Sequence, residues 1–372
     1  MQATALAFAV RFAPILVIGL FSERQGTLSL VPVSRAKRFL ITIAVLACLL
    51  VASAALLVYH WRRPLPGAST GAAPSILSLL PPGAPAIAYI DVAALRRLQD
   101  SPLAAILGLA GASPQQDRDY QNFVRDTGFD YTRDLDRVAV ALWPSSMMGG
   151  ENRAVAIADG RFDRDKIKAY ALRSGQEVQQ SAQSFYVVPG DPPVSFGFLS
   201  GSRIVLVSGK GLSLVVPIQS ASARDAAMQD RINRVAGAPI FAVGRTDNLP
   251  ASFYDNLRSV PQFEAVARSV QGLTLAGQPE GDIIHVTIDA ECDSMTNAVE
   301  LATVVDGLRL LGSIALSDPK TRAQMTKGQL AFLSAILNQA KLSHQDRWVR
   351  LTLDVTPAML GEVSAQVGAT ST

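Results

Sequence analysis

An uninterrupted apolar segment runs from Phe39 to Tyr59, without a charge, a glycine or a proline. A helix rises about 1.5 Å per residue, so this segment would cross the roughly 30 Å hydrocarbon core of a bilayer. Arg35, Lys37 and Arg38 precede it, and positive charge before a span favours a cytoplasmic amino-terminal flank. The sequence therefore predicts a cytoplasmic segment at 1–38, a transmembrane helix at 39–59 and an extracytoplasmic remainder.

Alternatives remain for this region. Residues 2–21 are also apolar, although Arg11 and Pro14 interrupt them. They are either a weak second membrane segment or translated upstream sequence. Ala52-Ser53-Ala54 resembles a signal-peptide cleavage site, and Val45-Leu46-Ala47-Cys48 resembles a lipoprotein box. Because the apolar run continues well past both motifs, we favour an uncleaved anchor.

Charge is distributed unevenly along the chain. Residues 1–63 contain seven Lys or Arg and one acid, whereas the remainder contains 27 bases and 30 acids. The positive net charge of the chain therefore comes from the flanks of the apolar run. A surface that follows phosphates needs clustered Lys and Arg. The mildly acidic remainder predicts no nucleic-acid partner.

Residues 60–82 are rich in Pro, Gly, Ala and Ser, which is typical of a stalk, with residues 76–80 able to pack on the domain. After them, the segment from Gly83 to Tyr89 matches the segment from Gly237 to Val243. Each begins an apolar run typical of a buried strand, and a Pro-started helix follows each, at Pro102 and Pro261. The repeat predicts two related subdomains, at 83–225 and 226–372.

Several strands alternate between apolar and polar residues, most clearly from Ile284 to Cys292. Antiparallel sheets with one solvated face give this pattern, whereas parallel sheets covered on both faces do not. We therefore expect an α+β fold in which two related subdomains of mainly antiparallel sheet each carry helices on one face.

The most suggestive polar set is His285, Asp289 and Glu291, which lie on one face of that strand. Successive residues on one face are about 6–7 Å apart, so His285 and Asp289 are too distant to bind one metal ion. The pattern favours a solvated sheet face, and no metal site is expected.

Other motifs match catalytic or binding signatures only by chance. Gly67–Gly71 fits G-x-S-x-G but lies in the stalk, and Ser34–Lys37 and Ser317–Lys320 fit S-x-x-K without companion motifs. Gly209-Lys210-Gly211 lacks phosphate-loop spacing. The acids between Asp117 and Arg137 alternate with arginines, which favours a solvated surface over a calcium loop. No catalytic residue, cofactor or enzymatic activity is expected.

The segments PPGAPAIAYIDVAALRRL, SPLAAILGL, TGFDYTRDLDRVAVALW and AIADGRFDRDKIKAYALRSG together resemble a family of uncharacterised, membrane-anchored bacterial proteins of acidobacterial type. The resemblance covers most of residues 80–360 and implies an envelope location: the bacterial inner membrane, with a periplasmic domain.

We therefore expect a non-enzymatic binding or structural module, held in the lipid bilayer by Phe39–Tyr59, with an envelope protein as its partner. The alternatives are a binder of an apolar or lipid-like ligand, or an enzyme with an unrecognised site.

Overall fold

The computed structural model describes residues 75–97, 118–143, 153–180, 183–190, 192–208, 225–247, 261–323, 325, 327–356 and 359. The strands in this part of the chain are β1 (Ala86–Asp91), β2 (Leu135–Trp143), β3 (Arg153–Gly160), β4 (Gln176–Gln180), β5 (Gln183–Val188), β6 (Val194–Ser200), β7 (Arg203–Ser208), β8 (Ile240–Arg245), β9 (Val270–Glu280), β10 (Ile283–Cys292), β11 (Lys341–Gln345) and β12 (Trp348–Val355). They form one antiparallel sheet in the order β11-β12-β10-β9-β8-β1-β2-β3-β7-β6-β5-β4.

Helices occupy the connections between strands. A 3₁₀ helix at Ser75–Leu79 precedes β1. The α-helices are α1 (Val92–Arg96), α2 (Arg118–Thr127), α3 (Tyr131–Asp134), α4 (Arg164–Ala171), α5 (Ala226–Val235), α6 (Pro261–Ala267), α7 (Met295–Ser317), α8 (Pro319–Arg322) and α9 (Lys327–Gln339). The helix predicted at Pro261 is confirmed, and the one predicted at Pro102 lies outside the described residues. The α+β class and the antiparallel sheet are confirmed.

The two segments of the repeat lie side by side at the centre of the sheet, because β1 pairs with β8. Ala88 pairs with Ala242, which is its own counterpart in the repeat. The Arg245 N–H donates to the Pro85 carbonyl at 2.8 Å, and the Asp91 N–H donates to the Pro239 carbonyl at 2.7 Å. The contacts across this seam are therefore related by a local two-fold axis.

Outward from the seam, both halves of the sheet grow in a similar order. The first half adds β2, β3 and then β7, and the second half adds β9, β10 and then β12. The two halves share this single sheet instead of forming a separate sheet each.

One side of the sheet, called here the Tyr89 face, is covered by the 3₁₀ helix and by α5. Ile76 and Leu77 from the 3₁₀ helix are 1 % exposed, which confirms the predicted packing of this segment. Met228, Ile232 and Val235 of α5 join the same apolar core.

The opposite side, called here the Phe196 face, is covered by α2 and α4 in the first half and by α6 and α7 in the second. Helices therefore lie on both faces, and the expectation of helices on one face only is wrong. The reason is that the central strands are apolar on both sides: in β3, Val155 and Ile157 enter one core while Ala156 and Ala158 face the other.

Within the described residues, no helix is both long enough and apolar enough to cross a membrane. The span predicted at Phe39–Tyr59 lies outside those residues.

Candidate functional site

His285, Asp289 and Glu291 of β10 lie on the Tyr89 face of the sheet, as their spacing predicts. Their environment differs from the prediction, because Asp289 is 1 % exposed and Glu291 is 2 % exposed. The expectation of a solvated sheet face is therefore wrong for both carboxylates. Helix α5 lies over this part of the sheet and excludes water from them.

Asp289 is held by two arginines. Arg350, its cross-strand neighbour on β12, donates through Nε and Nη2 to the two carboxylate oxygens, both at 2.7 Å. Arg234 of α5 lies 3.6 Å from Asp289 Oδ2 on the helix side. The two-bond geometry with Arg350 is the strong, planar form of arginine–carboxylate pairing. This carboxylate is therefore buried with its charge matched.

Glu291 is also held by two arginines. Arg231 of α5 donates through Nε to Oε2 at 2.7 Å, and Arg347 lies 2.7 Å from Oε1. The side chain of Arg231 is 4 % exposed, so this pair is removed from water on both sides. Removing one partner of such a pair would leave an uncompensated buried charge.

Helix α5 can place both arginines because its apolar and basic residues are interleaved. Asp225 caps its amino terminus by accepting a hydrogen bond from the Ala227 N–H. Residues 228, 232 and 235 recur at helical spacing and enter the core, which fixes the orientation of the helix. Arg231 and Arg234 are three residues apart and therefore share the side that faces β9, β10 and β12.

Arg234 also stacks on an aromatic ring. Its guanidinium carbon lies 3.9 Å from the centroid of the Trp348 ring. Arginine over the face of tryptophan is a favourable cation–π arrangement. Together, Arg231, Arg234, Arg347, Arg350, Asp289 and Glu291 form what we call the arginine–carboxylate network.

His285 belongs to a different group. Its Nδ1 lies 2.7 Å from Asp354 Oδ1, and its Nε2 lies 3.1 Å from Glu280 Oε2. The hydrogen bond with Asp354 raises the pKa of His285, and its side chain is 39 % exposed. The structure therefore does not bring His285 together with Asp289 and Glu291 into one site.

An open cleft of about 440 Å³ lies at the end of the network. Its lining comes from α5, the start of α7 and the β11–β12 turn, and it contains two basic and two acidic residues. The lining residues are Arg234, Asp293, Ser294, Met295, Asp346, Arg347 and Trp348. Both guanidiniums already contact buried carboxylates. The cleft is therefore close to electroneutral and has no excess of positive charge for an anion.

The acidic residues in the first half of the sheet also contact other groups of the protein. Asp134 is 7 % exposed and contacts Arg133 and Arg161, and Asp136 contacts Arg96. Asp130 caps α3. These contacts neutralise the carboxylates, as the interleaved arginines predict, although Asp134 is buried instead of solvated. In the described part of the chain, no three His, Cys, Asp or Glu residues are placed to bind a metal ion.

The remaining motifs of the sequence fall in two places. Ser317 ends α7 and its hydroxyl donates to the Ser313 carbonyl at 3.0 Å, so it makes an ordinary helix contact. Gly67–Gly71, Ser34–Lys37 and Gly209–Gly211 lie outside the described residues.

A second notable surface lies on α7, which is apolar around much of its circumference. One side packs into the core through Ala298, Leu301 and Ala302. The other side leaves five large apolar side chains in solvent, which we call the apolar strip: Met295 (65 % exposed), Val299 (43 %), Leu310 (61 %), Leu311 (56 %) and Ile314 (60 %).

The residues missed from the sequence are the arginines of α5. No helix was expected at 226–235, so nothing suggested a cover over the polar side of β10. The signal was present: Asp225 is a suitable cap, and Met228, Ile232 and Val235 have helical spacing.

No protein-family model matches the chain, and no curated protein matches it either. Among solved structures, crystal form III of TP0453 is similar at a TM-score of 0.43 and 11 % identity, covering 79 % of this chain and 100 % of that one. Crystal form IV gives 0.42 at 10 % identity, with 80 % and 97 % covered. Crystal form I gives 0.40 at 6 % identity, with 79 % and 98 % covered. Similarity at this level carries no conclusion about function.

Proposed function

We propose that this protein is a membrane-anchored module of the bacterial envelope whose folded domain binds another envelope component without transforming it. The observation that carries the proposal is the apolar strip on α7. Adjacent exposed apolar side chains mark interaction surfaces, whereas single ones are ordinary. In the rest of the described chain, the large exposed apolar residues are Leu172, at the end of α4, and Leu273, on β9. These two residues are far apart in the sequence.

The charged residues support a binding role over catalysis. A general acid or base must lie within hydrogen-bond reach of its substrate. Asp289 and Glu291 are instead buried, and arginines occupy their carboxylate oxygens. In this proposal, the arginine–carboxylate network fixes α5 against the second half of the sheet and serves the fold.

The anchor in this proposal is Phe39–Tyr59, with one crossing of the inner membrane and residues 60–372 in the periplasm. Protease added to spheroplasts should then degrade the domain while a cytoplasmic marker protein survives. If the domain remains protected in intact spheroplasts and is cut only after lysis, the topology is wrong.

The binding role is tested by placing a photoreactive benzoylphenylalanine at Leu310 in cells that make the full chain. Position 310 is 61 % exposed, so the probe should not disturb the core. Gln278 is the matched control, because it is exposed on the other face of the same half of the sheet. We expect irradiation to yield adducts with another cell component from position 310 and few from position 278. Equal yields from both positions would overturn the proposal.

A further inference from the structure

We infer that the apolar strip of α7 rests on the surface of an anionic lipid bilayer, with the helix axis lying along that surface. This inference deepens the proposed function by naming its partner, and it rests on the anchor assumed there. Four features of the chain lead to it.

The first feature is the geometry of the strip. At 100° per residue, its five side chains fall within an arc of roughly 160° on the outward side of α7. From Met295 to Ile314 the strip is about 28 Å long. Its densest part is Leu310, Leu311 and Ile314, at the carboxy-terminal end. Exposed residues 300, 303, 306 and 307 lie in the same arc, so the strip consists of two apolar clusters separated by a polar interval. The carboxy-terminal cluster suits contact with the interface between water and acyl chains.

The second feature is that α7 cannot cross the bilayer. Glu300, Asp306 and Arg309 are distributed along it, and no described helix meets the requirements of a span. Asp306 and Arg309 pair with each other at 2.9 Å, so this interruption of the outward side is neutralised locally. The helix can therefore contact lipid along one side while its other side stays in the protein core.

The third feature is the charge that follows the strip. Residues 319–341 contain four Lys or Arg and no Asp or Glu, although the chain after residue 63 is acidic overall. Arg322 is exposed and lies shortly after the end of α7, whereas the register of β11 places Lys341 on the opposite, Tyr89 face. Basic side chains beside an apolar face are the combination that attracts a helix to anionic headgroups.

The fourth feature is the length of the tether. Fifteen residues, 60–74, separate the predicted anchor from Ser75. Even fully extended, they would span at most about 50 Å. The anchor would therefore keep the bilayer near the domain, so that contact between them is an intramolecular event.

The test uses the purified full chain in vesicles of phosphatidylethanolamine and phosphatidylglycerol at 3:1, with the photoreactive residue at 310 or at 278. Adducts are identified by mass spectrometry. We expect at least tenfold more lipid adducts from position 310, and a several-fold decrease when phosphatidylcholine replaces phosphatidylglycerol. Arg322→Gln should lower the yield from position 310 in the anionic vesicles.

Equal lipid yields from positions 310 and 278 would overturn this inference. If position 310 then still gives protein adducts in cells, the binding function stands and its partner is a protein. If it gives neither lipid adducts in vesicles nor any adduct in cells, the proposed function fails as well.

Discussion

The guanidinium of Arg231 lies directly over the α-carbon of Gly272, so that a methyl group at Gly272 would overlap Arg231 Nε, Cζ and Nη2. Gly272 is the cross-strand neighbour of Glu291, the acid that Arg231 contacts. The absence of a side chain at position 272 therefore creates the space in which the buried ion pair forms.

Gly272→Ala should destabilise the domain, because the added methyl group displaces the buried Arg231 from Glu291. We expect a loss of about 1–3 kcal/mol in the free energy of unfolding, as for overpacked cores. Urea unfolding of the full chain in detergent micelles, followed by tryptophan fluorescence, measures it. Gly277→Ala on the same strand is the control, since its methyl group would meet its nearest neighbours at 3.7 Å. If both variants unfold alike, the close approach of Arg231 has no energetic consequence.

The Arg231–Glu291 pair should behave as a coupled unit. Breaking a buried pair by changing one partner costs about 3–5 kcal/mol, and we expect Arg231→Met alone and Glu291→Met alone each to approach this cost. Arg231→Met combined with Glu291→Met should cost less than the sum of the single changes, because no unmatched charge remains between them. The free energies of unfolding of the wild type, the two single variants and the double variant together give the coupling energy.

The exposed pair Asp306–Arg309 provides the comparison, because its side chains are 57 % and 40 % exposed. Asp306→Asn should change the free energy of unfolding by less than about 1 kcal/mol. Strict additivity of the Arg231 and Glu291 substitutions would contradict the role given to the buried pair.

His285 should titrate above its usual range. Its hydrogen bond with Asp354 raises the pKa, so the protonated imidazole is favoured in the folded protein. The resulting stability is fully present below the unfolded pKa of about 6.5 and is lost as the pH rises through the folded pKa. Because the side chain is 39 % exposed, the effect on stability should be small.

Asp354→Asn should lower the pKa of His285 toward its ordinary value, as followed by NMR of the imidazole Cε1 proton. His285→Gln identifies the signal among the three histidines of the chain. An unchanged midpoint in Asp354→Asn would show that the contact does not hold in solution.

Cys292 should be unreactive in the folded protein. The residue is 0 % exposed, and burial raises the pKa of its thiol, so little nucleophilic thiolate forms near neutral pH. In a Cys48→Ala background, we expect negligible maleimide labelling until denaturant unfolds the domain. Labelling at the rate of an exposed thiol without denaturant would contradict this placement of β10 against α6 and α7.

How much the sequence could predict is clearest in β10. Alternation from Ile284 to Cys292 correctly predicted a strand and placed Asp289 and Glu291 on the same face. The pattern could not distinguish water from arginine as the partner of a carboxylate, because both donate hydrogen bonds to it. The deciding residues, Arg231 and Arg234, lie about 60 positions earlier in a helix that was not expected.

The same limit applies to the sheet. The repeat at Gly83 and Gly237 predicted two equivalent strands, and alternation predicted the strand from Ile284 to Cys292. Pairing of β1 with β8 joins residues 150 to 158 positions apart, and no local pattern encodes such a contact. Two sheets were therefore as consistent with the sequence as the single sheet that forms.

The central position of β1 has a consequence for the growing polypeptide. Ala86 pairs with Gly244, so the inner edge of β1 stays open until 158 further residues have left the ribosome. At 5–20 residues per second this interval is on the order of 10–30 s. An open apolar edge is a template for pairing with another chain. During that interval, nascent chains of this protein should therefore depend on chaperones that shield β1.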